Sequence, residues 1–414
     1  MRIAIIGAGV SGLVAAHLLH PQHEITVFEE NGYLGGHAHT VRVALDDCDL
    51  DVDTGFIVYN DRNYPLFSRL LGDLEVATEK SAMSFSVSHR PSGFEYRATN
   101  ADTIFAERRN LLRPSFHRML VDIARFNRAG RRLLERGDDS RTLGELLAGH
   151  GFSRRLRDHF VVPLGSSIWS ADPATFDEIP ASTYARFMAN HGLLDFGAQP
   201  QWRTISGGAA RYVAALSRPF RDRVQRPVRV DKVVRRDRTV EVHSDGGEAW
   251  VFDRVVVAAH SDQALALLSD PSPAERAVLG AIRYQENVAT LHTDTTMLPR
   301  SRRAWASWNY HLLDERRGRA TLTYHMNQLQ AIDSRHEILV TLNREDEIDP
   351  ASVLGSYSYA HPVFDAAAVR AQGRRAEIQG HRGTYYCGAY WGYGFHEDGV
   401  RSAYDVARLL GVPV

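Results

Sequence analysis

The first 29 residues constrain the fold more than any other part of the chain. RIAII at residues 2–6 reads as a buried strand, Gly7, Gly9 and Gly12 follow in a Gly-x-Gly-x-x-Gly pattern, an apolar helix runs from Gly12 to Leu19, and EITVFE from Glu24 to Glu29 reads as a second strand. Strand, glycine turn, helix and parallel strand make a βαβ dinucleotide unit. Gly7 permits the tight turn, Gly9 lets the backbone approach a diphosphate, and Gly12 lets the helix pack closely on the strand. The helix amino terminus, with Val10 and Ser11 behind Gly9, then faces the anion. Glu29 lies at the end of the second strand, where a carboxylate accepts hydrogen bonds from a ribose hydroxyl and repels an NADP 2′-phosphate; Glu30 follows it. The three glycines alone leave NAD and FAD both open. A basic residue ahead of an apolar run also resembles a secretory leader, but the dinucleotide turn accounts better for the glycines.

A chain of 414 residues needs more than one core, and two domains are expected. The formal net charge of −1 gives no electrostatic case for nucleic acid as a partner. Cys48 and Cys387 are too far apart in sequence to suggest a metal-ligand motif or a disulfide framework, so no metal is expected and a cytoplasmic location fits best. No apolar run reaches the ~18 to 20 residues that cross a bilayer. Lys80 and Lys232 are the only lysines among 49 basic residues, which restricts any lysine-based chemistry.

Farther along, Phe116, Met119, Leu120, Ile123, Phe126, Leu133 and Leu134 recur at helical spacing, predicting an amphipathic helix from Pro114. Residues 105–136 carry Arg108, Arg109, Arg113, Arg118, Arg125, Arg128, Arg131, Arg132 and Arg136. Such a face would attract anionic lipid at the inner membrane surface, or else it is a solvated face tempered by Glu107, Asp122 and Glu135. Strand patterns return at 226–234, 239–243 and 254–259, then at 289–293, 320–324 and 337–342, and last at Thr384 to Cys387 before a helix from Gly399 to Leu410.

Beyond Glu29 the chain resembles the flavin amine oxidase superfamily. The resemblance rests on Gly35 and Gly36 in ENGYLGGH, on DTGFIVYN at Asp53 to Asn60, on RTISGG before residue 209, on RPVRV around Val228, and on the closing YYCGAYWGYGFHEDGV. It implies non-covalently bound FAD. Gly55, Phe56 and Ile57 are then the flavin-side turn, Val228 meets the adenine by its backbone, and Gly388, Asp398, Gly399 and Val400 form the last FAD motif. His37 stands where the family usually has Arg, so a fixed guanidinium is replaced on the phosphate side and His37 and His39 become the candidates there. The implied architecture is α/β: a Rossmann-like FAD domain of the glutathione-reductase type, with amine oxidase topology, and a discontinuous α+β substrate domain. The expected boundaries are 1–75, 205–285 and 360–414 for the FAD domain, and 76–204 and 286–359 for the substrate domain.

Within that superfamily, DTGFIVYN, MSFSV, RRNLLRPSF, WASWNYH and CGAYWGYGFHEDG are most similar to bacterial flavoproteins that accompany fatty-acid methyltransferases or cyclopropane-fatty-acid synthases. This implies oxidation or desaturation of a methylated or unsaturated fatty acyl chain, with a lipid methyltransferase as a partner. Double-bond isomerisation, amine oxidation and a non-catalytic flavin-binding role beside the methyltransferase are the alternatives. Amine oxidases usually carry a lysine near the flavin, and the comparable YQENVATL stretch at 284–291 has none. Hydride removal from an acyl carbon needs a dry pocket and a group to take the neighbouring proton. Trp391, Tyr393, His396 and Tyr59 are the catalytic candidates, with packing as the alternative reading of each; His311 and Tyr324 are weaker ones.

Overall fold

The computed structural model describes residues 1–137, 141–194, 199–315 and 317–414. Residues 195–198, within the Pro, Gly and aromatic-rich stretch before Gly208, lie outside this set. The amino-terminal segment forms strand Arg2–Ile6, helix Val10–Leu19 and strand Glu24–Phe28. The helix starts at Val10 rather than at Gly12, with extended Gly9 as its cap. The two strands pair in parallel and centre a five-stranded parallel sheet in the order Val224–Gln225, Glu24–Phe28, Arg2–Ile6, Arg254–Val257, Thr384–Tyr386.

A parallel sheet is covered on both faces, which is why these strands read as continuous apolar runs rather than alternating ones. Ile3 and Ile5 face the helix Val10–Leu19 and the carboxy-terminal helix His396–Leu409, while Ala4 and Ile6 face the other side. That second face is covered by a three-stranded antiparallel meander, Val230–Arg235, Val240–Ser244 and Ala249–Phe252, with Phe28 against Trp250 at 4.9 Å.

The remaining structure centres on a seven-stranded mixed sheet in the order Val353–Pro362, Tyr284–His292, Leu339–Leu342, Leu322–His325, Trp308–His311, Phe85–His89, Phe94–Arg97. The edge strand Val353–Pro362 pairs along the full length of Tyr284–His292, setting Tyr359 opposite Asn287 and His361 opposite Gln285. A helical layer that includes Pro114–Arg136, Val162–Trp169 and Ala181–Asn190 packs around Phe126, Leu133, Trp169, Tyr184 and Phe187. No described helix is long and apolar enough to cross a membrane.

Candidate flavin site and its aromatic wall

The glycine turn has the geometry its spacing demands. Gly7 has a φ of +99°, its N–H donates to the Phe28 carbonyl at 2.8 Å, and a Cβ there would press to 2.9 Å from the Ala258 carbonyl oxygen. A Cβ on Gly12 would collide with the Gly7 carbonyl. Gly9 differs: the space its Cβ would point into holds no atom within 4 Å. The Gly35–Gly36 turn lies directly across it. Gly35 donates to the Ala8 carbonyl at 2.8 Å, and a Cβ on Gly36 would stand 3.2 Å from the Gly9 Cα.

Glu29 is buried beside this turn. Its Oε2 accepts from the Ala8 N–H at 2.9 Å, and its Oε1 accepts from the N–H and side-chain amide of Asn31 at 2.9 and 2.8 Å. Each carboxylate oxygen has more than one lone pair, so these bonds orient the group and leave acceptor capacity for a ribose hydroxyl. Val228 donates to the Glu29 carbonyl at 2.8 Å, which holds that segment next to the carboxylate. Glu30 is exposed, 4.0 Å from Arg229. Open space at Gly9, a helix amino terminus behind it and a buried carboxylate at its side fit a dinucleotide.

The carboxy-terminal motif returns to the same place. A Cβ on Gly399 would lie 2.8 Å from both Ser11 Oγ and Val10 Cγ1, so the starts of the first and last helices touch there. Two helix amino termini converging put partial positive charge on one spot, which favours an anionic or electron-rich group. Val400 is buried in the core shared by those helices, and Gly388 donates to Ser402 Oγ at 2.9 Å. The Asp398 carboxylate accepts from the N–H groups of Tyr393 and Phe395 at 2.9 and 3.1 Å, which caps this helix, and burial pushes it up to about 6.

The DTGF turn lies on the histidine that follows the second glycine pair. Phe56 donates to the His37 carbonyl at 2.7 Å, and a Cβ on Gly55 would strike that carbonyl. The Ile57 carbonyl accepts from Thr204. Asp53, a residue the sequence did not single out, accepts from the Ala209 N–H at 2.9 Å, from the Thr40 hydroxyl and from the Gln330 amide, so one carboxylate ties this turn to the RTISGG helix. Burial raises it to about 7.

The catalytic candidates divide. His396 belongs to the first turn of the last helix, not to the loop before it, and stacks on Phe56 with ring centres 3.5 Å apart. Its Nε2 is 3.0 Å from the Tyr212 hydroxyl, and burial lowers it to about 3. Trp391 donates its indole N–H to the Tyr386 carbonyl at 3.2 Å and packs on Tyr390 within the core. Tyr59 is buried against Tyr64 and Phe67. Tyr393 is half-buried against Phe187 in the helical layer. His311 is buried with its Nε2 2.8 Å from Thr323 Oγ1, and Tyr324 packs edge-on against Trp308 at 5.3 Å.

The groups gathered around His37 come from elsewhere. Tyr357, Tyr359 and His361 alternate along the edge strand and so share one face. The Tyr359 ring is 5.0 Å from His37, and its hydroxyl is 2.6 Å from Thr54 Oγ1 and 3.0 Å from His39 Nδ1. His39 also stacks on Tyr33 at 4.1 Å. His361 stands edge-on to His37 at 5.3 Å, while His260 is 6.1 Å from it and stacks on Tyr284 at 4.3 Å. Asn287, fully buried on the neighbouring strand, points its amide nitrogen at His361 Nδ1 at 3.1 Å, and Asn343 donates to its oxygen at 2.8 Å.

Burial, reinforced by neighbouring imidazoles, lowers His37 and His260 to about 4 and His361 to about 3. At neutral pH the wall is therefore uncharged. The period-two pattern of GSYSYAHP was the signal for it, visible in the sequence but without a partner until the strand could be placed. Lys80 and Lys232 are exposed on other sheets, and burial pushes the Cys387 thiol up to about 12, far from a reactive thiolate.

The family model of the flavin containing amine oxidoreductases matches residues 10–301. In sequence, 98 residues are 32% identical to a flavin-containing monooxygenase of Aspergillus flavus and 36 residues are 56% identical to an uncharacterised protein of Methanocaldococcus jannaschii. These matches span 20% and 9% of those relatives and 22% and 9% of this chain. Among solved structures, the CLA-producing fatty acid isomerase from P. acnes superposes with a TM-score of 0.70 at 17% identity, covering 99% of this chain and 98% of that one. Cyclohexylamine oxidase from Brevibacterium oxydans gives 0.71 at 16%, covering 99% of each, and putrescine oxidase 0.70 at 15%, covering 100% of each. The amine-oxidase fold is thus common to the whole described chain and these enzymes. With a family model that matches well over half of its length and a glycine cradle that fits the cofactor, the chain belongs to the flavin containing amine oxidoreductase family and is an FAD-dependent oxidoreductase.

Proposed function

We propose that this flavoenzyme oxidises a long fatty acyl chain, removing two hydrogens to leave a double bond. The observation that carries the reading is the uncharged character of the wall beside the Gly55–Phe56 turn. The imidazoles and phenols of His37, His260, His361, Tyr284 and Tyr359 include no carboxylate to balance an alkylammonium ion and no lysine, which favours an uncharged chain as the substrate. Bound at the cradle, FAD supplies a two-electron acceptor for a hydride.

The protein's part is to exclude water and take the second hydrogen as a proton. The His37 ring lies near the Ala360 backbone, and with its proton on that side the other nitrogen is an acceptor. Asn287 directs an N–H toward His361 Nδ1, which favours the tautomer with its proton on Nε2 and makes that ring a donor. A donor ring and an acceptor ring side by side can orient a substrate, with His37 taking the proton.

Isomerisation is the second reading, supported by the fold shared with a fatty acid isomerase. In that case the hydride and proton return to the same chain at different carbons. Anaerobic mixing of the flavin-loaded protein with unsaturated fatty acids and, separately, with primary amines tests both. Bleaching by the fatty acid supports oxidation, and a shifted double bond without lasting bleaching supports isomerisation. Bleaching by amines alone contradicts both, and an unchanged flavin with every lipid favours the accessory role beside a methyltransferase.

A further inference from the structure

The helix Pro114–Arg136 buries Phe116, Met119, Phe126 and Leu133 on its inner side, and its outer side is basic. Arg118, Val121, Arg125, Arg128 and Arg132 follow one another at spacings of three and four, so they form a single outward stripe. Over residues 105–136 nine arginines stand against three acidic residues, on a molecule whose net charge is −1. Asp122 is buried and pairs with Arg118 and Arg125 at 3.1 and 2.6 Å. Among the described residues, no carboxylate pairs with Arg128, Arg132 or Arg136. These three, with Arg141, line a cavity of about 280 Å³ floored by Leu133 and Phe152.

The turn that leads into this helix adds a second, independent feature. Arg108–Leu112 forms a short 3-10 helix in which Leu112 is 87% exposed and Leu111 49% exposed, flanked by Arg109 and Arg113. Val121, on the basic stripe itself, is 58% exposed. Among the described residues eight large apolar side chains are exposed, and three of them, Leu111, Leu112 and Val121, lie within this arginine-rich segment. A soluble anion would use the arginines and leave the leucines in water. A bilayer surface uses both, with phosphates meeting the guanidinium groups and acyl chains covering the leucines.

We propose that this face docks on an anionic phospholipid bilayer, the arginine stripe lying along the headgroups and Leu111–Leu112 entering the acyl boundary. The inference is independent of the reaction assigned above, since none of these residues belongs to the flavin cradle or its wall.

The test is sedimentation of the FAD-loaded protein with vesicles of phosphatidylcholine and phosphatidylglycerol, compared with phosphatidylcholine alone. Binding to the anionic vesicles that weakens with added salt is expected. Replacing Arg128→Gln together with Arg132→Gln removes two surface charges and lowers partitioning by roughly 25-fold. Leu112→Ser lowers it by roughly tenfold. Flavin content and circular dichroism report that the variants are folded. Failure to bind anionic vesicles, equal binding to the neutral ones, or variants that bind like the parent would each overturn the proposal. Loss of binding on adding inorganic phosphate at constant ionic strength would also overturn it, because the arginine cavity would then be a site for a soluble anion.

Discussion

Gly9 and Gly12 carry different burdens although the same pattern specifies both. A methyl at Gly12 meets the Gly7 carbonyl and needs a backbone shift, so Gly12→Ala should cost about 3 kcal/mol in chemical denaturation as well as the flavin. A methyl at Gly9 meets no protein atom, so Gly9→Ala should keep its apoprotein stability while flavin absorbance after purification falls. Equal loss of stability in both would remove the distinction between a packing glycine and a cofactor glycine. The motif could be read from sequence because glycine spacing is a local property. His37 could not, because its meaning depends on His260, His361 and Tyr359, hundreds of residues away in the chain. Its imidazole titrates near pH 4, and the proposed role needs the unprotonated form. Activity should therefore hold from neutral pH down to about pH 5 and fall only below that as the ring gains a proton. A His37→Asn variant should lose turnover, and its flavin absorbance after purification separates loss of the proton acceptor from loss of a contact on the phosphate side of the cofactor. A wild-type loss centred near the ordinary histidine value would show that this ring is not the acceptor.

Elements with strong local signals were legible: the two amino-terminal strands, the long helix from Pro114, the 254–257 strand and the last helix. Strands such as Phe85–His89 and Val353–Pro362 were not recognised although their period-two alternation is a strand signal, because the face each one buries is defined only by pairing across the sheet. Starts of elements moved for identifiable reasons. The strand after Val228 begins at Val230, beyond the Arg226–Pro227 turn, and the last helix begins at His396, because Asp398 caps it by accepting from Tyr393 and Phe395. Across elements, the fully buried pair of Arg235 with Glu275 joins the meander to helix Pro273–Leu279, and Tyr386 donates to the same carboxylate at 2.6 Å from the last strand of the central sheet. Glu275→Gln leaves a buried guanidinium short of its counter-charge and should cost about 3 to 5 kcal/mol in urea unfolding. A cost under 1 kcal/mol would mean that Asp270, also paired with Arg235 at 2.9 Å, holds the charge by itself.

At the scale of the whole molecule, the chain brings its two ends together: the glycine turn near Met1 and the Gly399 helix start touch, and the wall is completed by a strand of the mixed sheet. Sequence motifs identified the nucleotide side of this arrangement because its chemistry is fixed by phosphate and ribose. The substrate side was read from Trp391, Tyr393, His396 and Tyr59, and two of these, Trp391 and Tyr59, prove to have core packing around them. The missing lysine pointed away from amines before the wall was visible, and the neutral histidines extend that argument. The most direct measurement is the mass of an unsaturated fatty acid after a single anaerobic turnover on the flavin-loaded protein. The account predicts a product lighter by two hydrogens, formed in step with one equivalent of bleached flavin; a product of unchanged mass, or bleaching that requires an amine, would contradict it.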